Sequence, residues 1–416
     1  MFMKLSEELK ARGFISQHTG ESLDEVLDGD KRTVYHGIDP SADSAHAGNM
    51  VMWMLLRHLT NNGHKVIFLV GGGTGMIGDP KPDSERVLQS TEKVEENVQK
   101  IKSQAERLIG GQAGIEFVNN ADWLCQVGLI DFLRDIGKHF TVNELVKKEA
   151  ISSRMESEQG ISYTEFAYPL LQGFDYLTLY RDKGCTLQVG GSDQWGNIIA
   201  GVDLVRRKEQ KTVHALTTPL VVDKATGKKF GKSEGNAVWL DAEKTSPYQF
   251  YQFWLNVSDE SVIDYLKLFT FLSLDEIAVI EAEFTANPGS RQAQRKLAAE
   301  VTKFVHKEDV TESVIKASEA LFGTVEFADL SEAELSMVKE NAPAFKVANK
   351  ITLVDALVES KLAASKREAR TFITEGAVQI NNNKIEDTDS VLDSSSLGQD
   401  VLLKRGKKYY AILSLG

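Results

Sequence analysis

Strand-length apolar runs alternate with helix-period segments through the first half of the chain, and few folds accept that alternation. A strand-like run at Thr33–Ile38 is followed by a helical stretch over 45–62, closed by Gly63, and then by a buried-strand run over 66–70. The next segment places Val94, Val98, Ile101, Ala105 and Leu108 at 4-3-4-3 spacing, and a strand over 115–118 comes after it. A helix over 164–180, a strand over 186–189, a helix after Trp195 and an apolar strand over 219–222 continue the series. Parallel strands need crossover helices between them, so this order predicts an α/β fold built on a doubly wound, Rossmann-like parallel sheet.

Beyond Ser246 the pattern becomes helical only, with aromatic-rich residues 248–254 and further segments to about residue 322. A loosely patterned connector then leads to a small α+β tail with helices over 353–362 and 366–374 and strands near 378–380, 401–403 and 409–413. The expected organisation is a catalytic domain over 1–225, a loop and connector over 226–245, an all-α domain over 246–330, a linker over 331–350 and the tail over 351–416. At 416 residues the chain exceeds the size at which one core keeps growing, which agrees with several domains.

Composition removes several function classes. No run of eighteen apolar residues occurs, so no membrane span is expected and a cytoplasmic protein is. Cys125 and Cys185 form no metal-type pair, and the eight histidines include no HExxH, so neither a structural zinc nor a disulfide framework is expected. A net charge of -12 argues against indiscriminate coating of nucleic acid. From Lys350 to Gly416, however, ten Lys and Arg stand against nine Asp and Glu, so any RNA contact there is expected to be local.

Residues 73–78 read Gly-Thr-Gly-Met-Ile-Gly and fit the dinucleotide pattern GxGxxG after a strand. Asp79, Pro80, Lys81 and Pro82 then interrupt the helix that would receive a pyrophosphate, and no strand-end acid follows at the usual distance. These glycines more simply let backbone approach a ligand.

A stronger pattern is Tyr35-His36-Gly37-Ile38-Asp39-Pro40-Ser41, continuing to His46-Ala47-Gly48-Asn49: a strand, a tight turn and a helix N-terminus, where backbone N–H groups and the helix dipole favour phosphate. His46 and Asn49 can donate to oxygen, and Gly48 leaves room for a nucleotide. Its bland alternative is a capped helix with incidental polar residues. The second pattern, Lys229-Phe230-Gly231-Lys232-Ser233, sets two cations and a hydroxyl on a glycine-containing loop, which alone would be an ordinary solvated basic loop. Together, near either end of one sheet domain, the two patterns are far more specific than either by itself. In the helix over 164–180, Tyr168, Gln172 and Asp175 fall at i, i+4 and i+7, giving a polar stripe suited to a small polar substrate rather than the charges of a plain surface helix.

On these residues the chain resembles the class I aminoacyl-tRNA synthetases, whose HIGH and KMSKS motifs stand here as His46 to Asn49 and Lys229 to Ser233. The resemblance runs through most of the chain and is nearest to the bacterial-type tyrosyl-tRNA synthetases. Supporting matches include Gly75-x-Ile77-Gly78-Asp79-Pro80, Tyr168 to Asp175 and Gln188 to Asn197. The tail, through Ser365 to Arg370 and Gly376 to Asn381, is similar to S4-type RNA-binding domains.

The resemblance implies activation of L-tyrosine with ATP, accompanied by Mg²⁺, and transfer to tRNA(Tyr) by a homodimer without an organic cofactor or a protein-bound metal. Its implied tyrosine site is Tyr35 and Asp175 at the phenol, Asp79, Tyr168 and Gln172 at the ammonium group, and Gln194 near the carboxylate. Asp39, Gly48, Gly191, Asp193 and Lys232 are implied for ATP, with Asp193 at the ribose. His46, Asn49, Ser41, Lys229 and Lys232 are implied for catalysis at the phosphates, and Lys366, Arg367, Arg370, Lys404 and Arg405 for RNA. Tyrosyl-tRNA synthetases are the standing example of a site that rejects phenylalanine without editing, because loss of the phenol strands buried polar groups. No inserted editing domain is evident in the sequence.

Asn49 departs from the second His of HIGH, His36 stands where many relatives carry a small residue, and Phe230 and Gly231 replace Met and Ser. These changes imply altered nucleotide affinity with the essential lysines retained. Two alternatives remain open at this point: a tryptophanyl-tRNA synthetase, disfavoured because indole offers a single N–H donor, and a non-catalytic RNA-binding relative, which would not need the acidic and basic set together. The helix over 128–136 is a candidate dimer element that could equally be core.

Overall fold

The structure, a computed structural model, describes residues 3–81, 84–111, 114–157, 160–227, 230, 232–233, 236–322, 325–406 and 409–416. The chain packs as two compact units, Met1–Lys244 with Asn256–Leu297, and Thr245–Leu255 with Ala298–Gly416. The all-α stretch is thus divided between them.

The first unit carries a six-stranded sheet of β1 (Gln17–His18), β2 (Thr33–Ile38), β3 (Lys65–Val70), β4 (Ile115–Asn119), β5 (Cys185–Gly191) and β6 (His214–Thr218), in the order β1-β6-β5-β2-β3-β4. All pairs are parallel except β1 with β6, where two residues close the edge through Gln17↔Thr217 and His18↔Leu216. The chain runs from β2 outward to β3 and β4, then returns to lay β5 and β6 on the other side of β2. That reversal leaves a crevice outside the carboxyl ends of β2 and β5, the usual ligand position in an open α/β sheet.

Helix Met50–Asn61 covers the sheet with ten buried residues, because MVMWMLL leaves it without a polar face. Trp53 meets Phe68 edge-on at 5.8 Å, and Phe68 meets Phe117 at 5.5 Å. On another part of the sheet, helix Tyr163–Lys183 packs Leu170, Tyr176 and Leu177 into a core with Tyr35, Ile67 and Leu204. Its ends are set locally: Ser162 accepts the Glu165 N–H at the N-cap, and Gly184 takes φ 64° at the C-cap, a conformation that a side chain would strain.

The last parallel strand starts and stops earlier than the apolar run over 219–222 suggests. It spans His214–Thr218, all buried, and ends before Pro219. Proline offers no N–H to a sheet ladder, so it terminates this strand instead of opening it. Helix Leu129–Asp135 buries Phe132 but leaves Leu129 72% and Ile130 71% exposed. Neither cysteine is in a disulfide. Among the described residues no helix is long and apolar enough to cross a membrane, and no group of three His, Cys, Asp or Glu could hold a metal ion.

In the second unit a five-stranded sheet runs Asn383–Ile385, Val378–Ile380, Asp400–Arg405, Tyr409–Leu415, Ala344–Val347. Only the last pair is parallel. Helices Leu353–Glu359 and Lys366–Thr374 bury Leu353, Leu357, Ala369 and Ile373 in one core with Val378, Val401 and Leu413.

The segment 331–350, expected as a linker, is structured. Helix Glu332–Asn341 opens with a Ser331/Glu334 capping box, Glu334 pairs with Lys316 at 3.0 Å, and Ala344–Val347 completes the sheet beside the C-terminal strand. Pairing with a strand some seventy residues away leaves no local periodic signal, which is why the connector read as loose.

Candidate active site

At the crevice beyond β2 and β5 lies a cavity of about 910 Å³. Its wall includes Tyr35, Asp39, Ser41, His46, Gly48 and Asn49 from the first motif region, and Asp79 from the turn after the glycines. Tyr168, Gln172 and Asp175 enter from the long helix, and Gly191, Asp193 and Gln194 from the end of β5. Residues from four distant stretches of sequence therefore face one space. Phe230 also lines it; Lys229 lies outside the described residues, and for Lys232 only the backbone is described, paired with Ala237.

The polar stripe of the helix forms the innermost part. Trp123 Nε1 donates to Asp175 Oδ1 at 2.7 Å and Asn120 Nδ2 donates to Asp175 Oδ2 at 3.0 Å. Burial pushes the Asp175 carboxyl up to about 7, against the pull of those two donors. Burial, and next the Asp175 charge, hold the Tyr35 phenol well above its ordinary value. The Tyr35 hydroxyl and the Gln172 side-chain oxygen are buried without a hydrogen-bond partner of normal geometry among the described residues. Unpaired buried groups of this kind are costly unless a ligand completes them.

A second acidic position lies nearby. Tyr168 donates to Asp39 Oδ2 at 2.9 Å and Thr74 to Asp39 Oδ1 at 2.7 Å, while burial raises the Asp39 carboxyl. Asp79 accepts from Gln194 at 2.8 Å and from Asn197 at 3.0 Å, and burial lifts it to about 6. The amides of Gly72 and Gly73 are occupied by the side chains of Asn119 and Asn120, at 3.1 and 2.8 Å, so this GxGxxG stretch is a packed turn and not a dinucleotide cradle.

The His46 motif is a capped helix start. Its Nδ1 accepts the Gly48 N–H at 3.0 Å, which leaves Nε2–H as the donor of the neutral ring. Asn49 spends Oδ1 on the His46 N–H at 3.0 Å, so the departure from histidine serves the cap and keeps the amide N–H₂. A Cβ at Gly48 would stand 3.2 Å from the Phe230 carbonyl, so the two motifs abut. Strand-like pairing across His46 and Trp239, with Ala47 N–H to Val238 O at 2.8 Å, ties the first motif to the segment after the second. His36 lines the cavity, its Nδ1 lies 3.3 Å from the Val189 carbonyl, and burial lowers it to about 4, so it is neutral near pH 7.

The loop after Asp79 is held from beneath. Arg154 and Glu165, each 2% exposed, form an ion pair at 3.0 Å; Arg154 also donates to Ser84 O at 2.7 Å and Gly160 O at 3.0 Å, and Glu165 accepts the Arg86 N–H at 2.9 Å. Arg86 Nε in turn donates to the Asp79 carbonyl at 2.7 Å. Because removing one partner strands a buried charge, Arg154→Met is expected to cost about 3–5 kcal/mol of stability. A denaturant-unfolding midpoint equal to that of the parent would contradict this.

Asn120, Trp123 and Arg86 carry no motif signal that sequence reasoning could use; Asn197 and Phe230 sit inside quoted matches without a role given to them. Of the tail residues, Lys366, Arg367 and Arg370 are on the exposed side of their helix, with Lys366 on Asp355 at 2.6 Å. Arg405 stacks over Tyr409 at 4.2 Å and Phe372 at 4.8 Å. Lys404 departs from expectation: it is 6% exposed, donates to Asn382 at 2.8 Å, and burial lowers its pKa. It shares with Leu402 the sheet face opposite the Val401 and Leu403 core, and is covered there beside Asn382, so it is removed from the candidate RNA face.

Comparison with known proteins agrees with this arrangement. Residues 28–323 match the family described as tRNA synthetases class I (W and Y), and residues 334–413 match the tyrosine–tRNA ligase SYY-like C-terminal domain. A tyrosine–tRNA ligase 2 of Enterococcus faecalis is 49% identical over 98% of each chain, and a tyrosine–tRNA ligase of Streptococcus mutans is 49% identical over 99% of this chain and all of its own. The crystal structure of a C-terminally truncated mitochondrial tyrosyl-tRNA synthetase of Aspergillus nidulans superposes with a TM-score of 0.69 at 30% identity, covering 77% of this chain and 95% of that one. A tryptophanyl-tRNA synthetase of Encephalitozoon cuniculi shares the fold at 15% identity with a TM-score of 0.56. With two family matches in series and full-length relatives at such identity, the chain belongs to the class I tRNA synthetases of the W and Y type, in their tyrosine–tRNA ligase branch.

Proposed function

We propose that this chain ligates tyrosine to tRNA(Tyr) in two steps. The tyrosine carboxylate attacks the α-phosphate of ATP, giving tyrosyl-adenylate and pyrophosphate, and the 3′-terminal adenosine of the tRNA then takes the tyrosyl group and releases AMP. The observation that carries this reading is the buried polar end of the cavity: an Asp175 carboxylate oriented by Trp123 and Asn120, beside a buried Tyr35 hydroxyl whose one protein neighbour for hydrogen bonding among the described residues is the Gln188 side chain. A phenol both donates and accepts and can satisfy that pair, whereas an indole N–H only donates and phenylalanine does neither.

Tyr35 and Asp175 then receive the phenol, Asp79, Tyr168 and Gln172 the ammonium group, and Gln194 the carboxylate side. Asp39, Gly48, Gly191 and Asp193 bind ATP, Asp193 at the ribose. His46, Ser41 and Asn49, joined by Lys229 and Lys232, stabilise charge as it develops on the departing pyrophosphate. No covalent enzyme intermediate is needed, and the chain supplies position and electrostatics. Mg²⁺ arrives on the phosphates of ATP as part of the substrate.

In this reading residues 1–225 form the catalytic domain, 226–245 the lysine loop and connector, and 246–330 the anticodon side. The tail receives RNA through Lys366, Arg367, Arg370 and Arg405. Exposed Leu129 and Ile130 are the proposed contact of a homodimer, since adjacent bare apolar side chains gain by burial. A cytoplasmic location accompanies this role.

Amino-acid-dependent ATP–pyrophosphate exchange tests the proposal, with tyrosine, phenylalanine and tryptophan compared at equal concentration. Exchange with tyrosine alone supports it; exchange with tryptophan moves the assignment to the neighbouring enzyme, and silence with all three in folded protein favours a non-catalytic RNA binder. Tyrosine affinity is also expected to depend on pH. An ammonium group binds an ionised carboxylate and Asp79 ionises near 6, so affinity should rise as pH climbs from 5 to 7. Calorimetric titration giving a flat profile over that range would exclude the role given to Asp79.

A further inference from the structure

Strand β5 carries one residue of an unexpected type for its place. Gln188 is 3% exposed, stands between buried Leu187 and Val189, and lines the cavity. An amide buried there costs free energy that an aliphatic side chain would not. Gln188 is the register partner of Tyr35 on β2, so the two side chains leave adjacent parallel strands on one face. The Tyr35 ring is fixed: it meets the Tyr176 ring edge-on at 5.3 Å, and the Tyr176 hydroxyl donates to His214 O at 2.7 Å. Helix Trp195–Glu209 turns bare backbone to this group at Gly201, where a Cβ would come within 3.0 Å of Tyr176 and 3.6 Å of Gln188 Oε1. That oxygen is buried and accepts no hydrogen bond from the described residues, which leaves the amide nitrogen as the end for Tyr35. Burial and the Asp175 charge raise the Tyr35 pKa, whereas hydrogen bonding with Gln188 lowers it, the sign of a donor on the phenolic oxygen.

We propose that Gln188 is a positioning residue that sets the direction of hydrogen bonding at the phenol end: by giving its N–H to the Tyr35 oxygen, it turns the single Tyr35 proton toward the substrate. The inference rests on the reading of Tyr35 and Asp175 given above and adds what orients them. Its physical basis is a count of donors and acceptors. A tyrosine hydroxyl has one proton, so with its oxygen engaged by an amide, Tyr35 donates. The substrate phenol accepts from Tyr35 and donates its own proton to the Asp175 carboxylate. One chain then runs from Gln188 through Tyr35 and the phenol to Asp175, with each donor matched by an acceptor. An indole N–H serves Asp175 but cannot accept from Tyr35, and phenylalanine leaves both ends open. Without the amide, the Tyr35 hydroxyl is free to turn its proton away from the substrate.

The test compares Gln188→Met, Gln188→Leu and Tyr35→Phe, together with the double variant of Tyr35→Phe and Gln188→Met, in the full-length protein. Pyrophosphate exchange driven by tyrosine and by phenylalanine gives the ratio of kcat/KM for the two amino acids. Both apolar variants are expected to lower that ratio by about 3- to 10-fold, the worth of one hydrogen bond between neutral groups. In the Tyr35→Phe background, Gln188→Met should change the ratio by less than about twofold, because a residue that acts through another then has nothing to orient. Gln188→Met, close to glutamine in shape, should also leave the denaturant midpoint of unfolding at or above that of the parent, since it removes a buried oxygen that lacks a partner. A ratio within about twofold of the parent in both apolar variants, or an undiminished loss in the Tyr35→Phe background, would overturn the inference. So would a lowered midpoint accompanied by equal losses for tyrosine and phenylalanine, which is the mark of a merely structural role. Were the parent itself inactive with tyrosine, or the ratio unchanged in Tyr35→Phe, it is the underlying reading of the phenol site that would fall.

Discussion

Replacing Asp175 by alanine is expected to cut the preference for tyrosine over phenylalanine by about 10- to 100-fold. A hydrogen bond to a charged group is worth about 1.5–3 kcal/mol, so kcat/KM for tyrosine should fall by roughly 10- to 100-fold through loss of the phenol contact. Phenylalanine makes no such bond and should lose much less. The substitution also leaves the Trp123 Nε1–H and Asn120 amide without their acceptor, at 2.7 and 3.0 Å in the parent. That cost applies to both substrates and cancels in the ratio. Pyrophosphate exchange with the two amino acids gives the ratio directly, and an unchanged value would sink the role assigned to Asp175.

Lys232→Ala is expected to slow adenylate formation by about 100- to 1000-fold, the usual consequence of deleting one preorganised group from a site where negative charge develops. Tyrosine binding should stay within about twofold, since the proposed contacts for the amino acid, Tyr35, Asp79 and Asp175, do not include this loop. Single-turnover adenylate formation and equilibrium tyrosine binding separate the two quantities. Equal losses in both would mean that the loop is structural.

Different parts of this molecule were legible to different degrees. The parallel sheet is readable because doubly buried strands show as short continuous apolar runs and amphipathic helices as a 3.6-residue period, and the alternation persists from Thr33 to Glu209. The strand ending at Thr218 was misplaced by several residues, because apolar 219–222 resembles a strand and only the N–H missing from Pro219 says otherwise. Segment 331–350 has the pattern of a linker because the partner of its strand Ala344–Val347 lies far off, in Tyr409–Leu415. In the site, Tyr168, Gln172 and Asp175 could be grouped beforehand because one helix carries all three at i, i+4 and i+7. Trp123 and Asn120 could not, since nothing in a short turn after β4 reports that it will face a helix some fifty residues later.

Lys404 shows the same limit from the other direction. It opens a basic run, Lys404-Arg405-Gly406-Lys407-Lys408, so composition assigns it to a cationic surface, yet the sheet face it shares with Leu402 is covered and Lys404 is buried against Asn382.

What the sequence determined by itself is therefore the class of fold, the pair of motifs at His46 to Asn49 and Lys229 to Ser233, and the polar stripe, all of which depend on residue types at short fixed spacings. Tertiary structure decided the rest: that β5 returns beside β2 to open the crevice between them, that Asp175 meets Trp123 and Asn120 there, and that Phe230 rests on Tyr265. Those contacts join residues 35 to 153 positions apart, and their free energy comes from burial and hydrogen bonds that exist only once the sheet has brought the segments together.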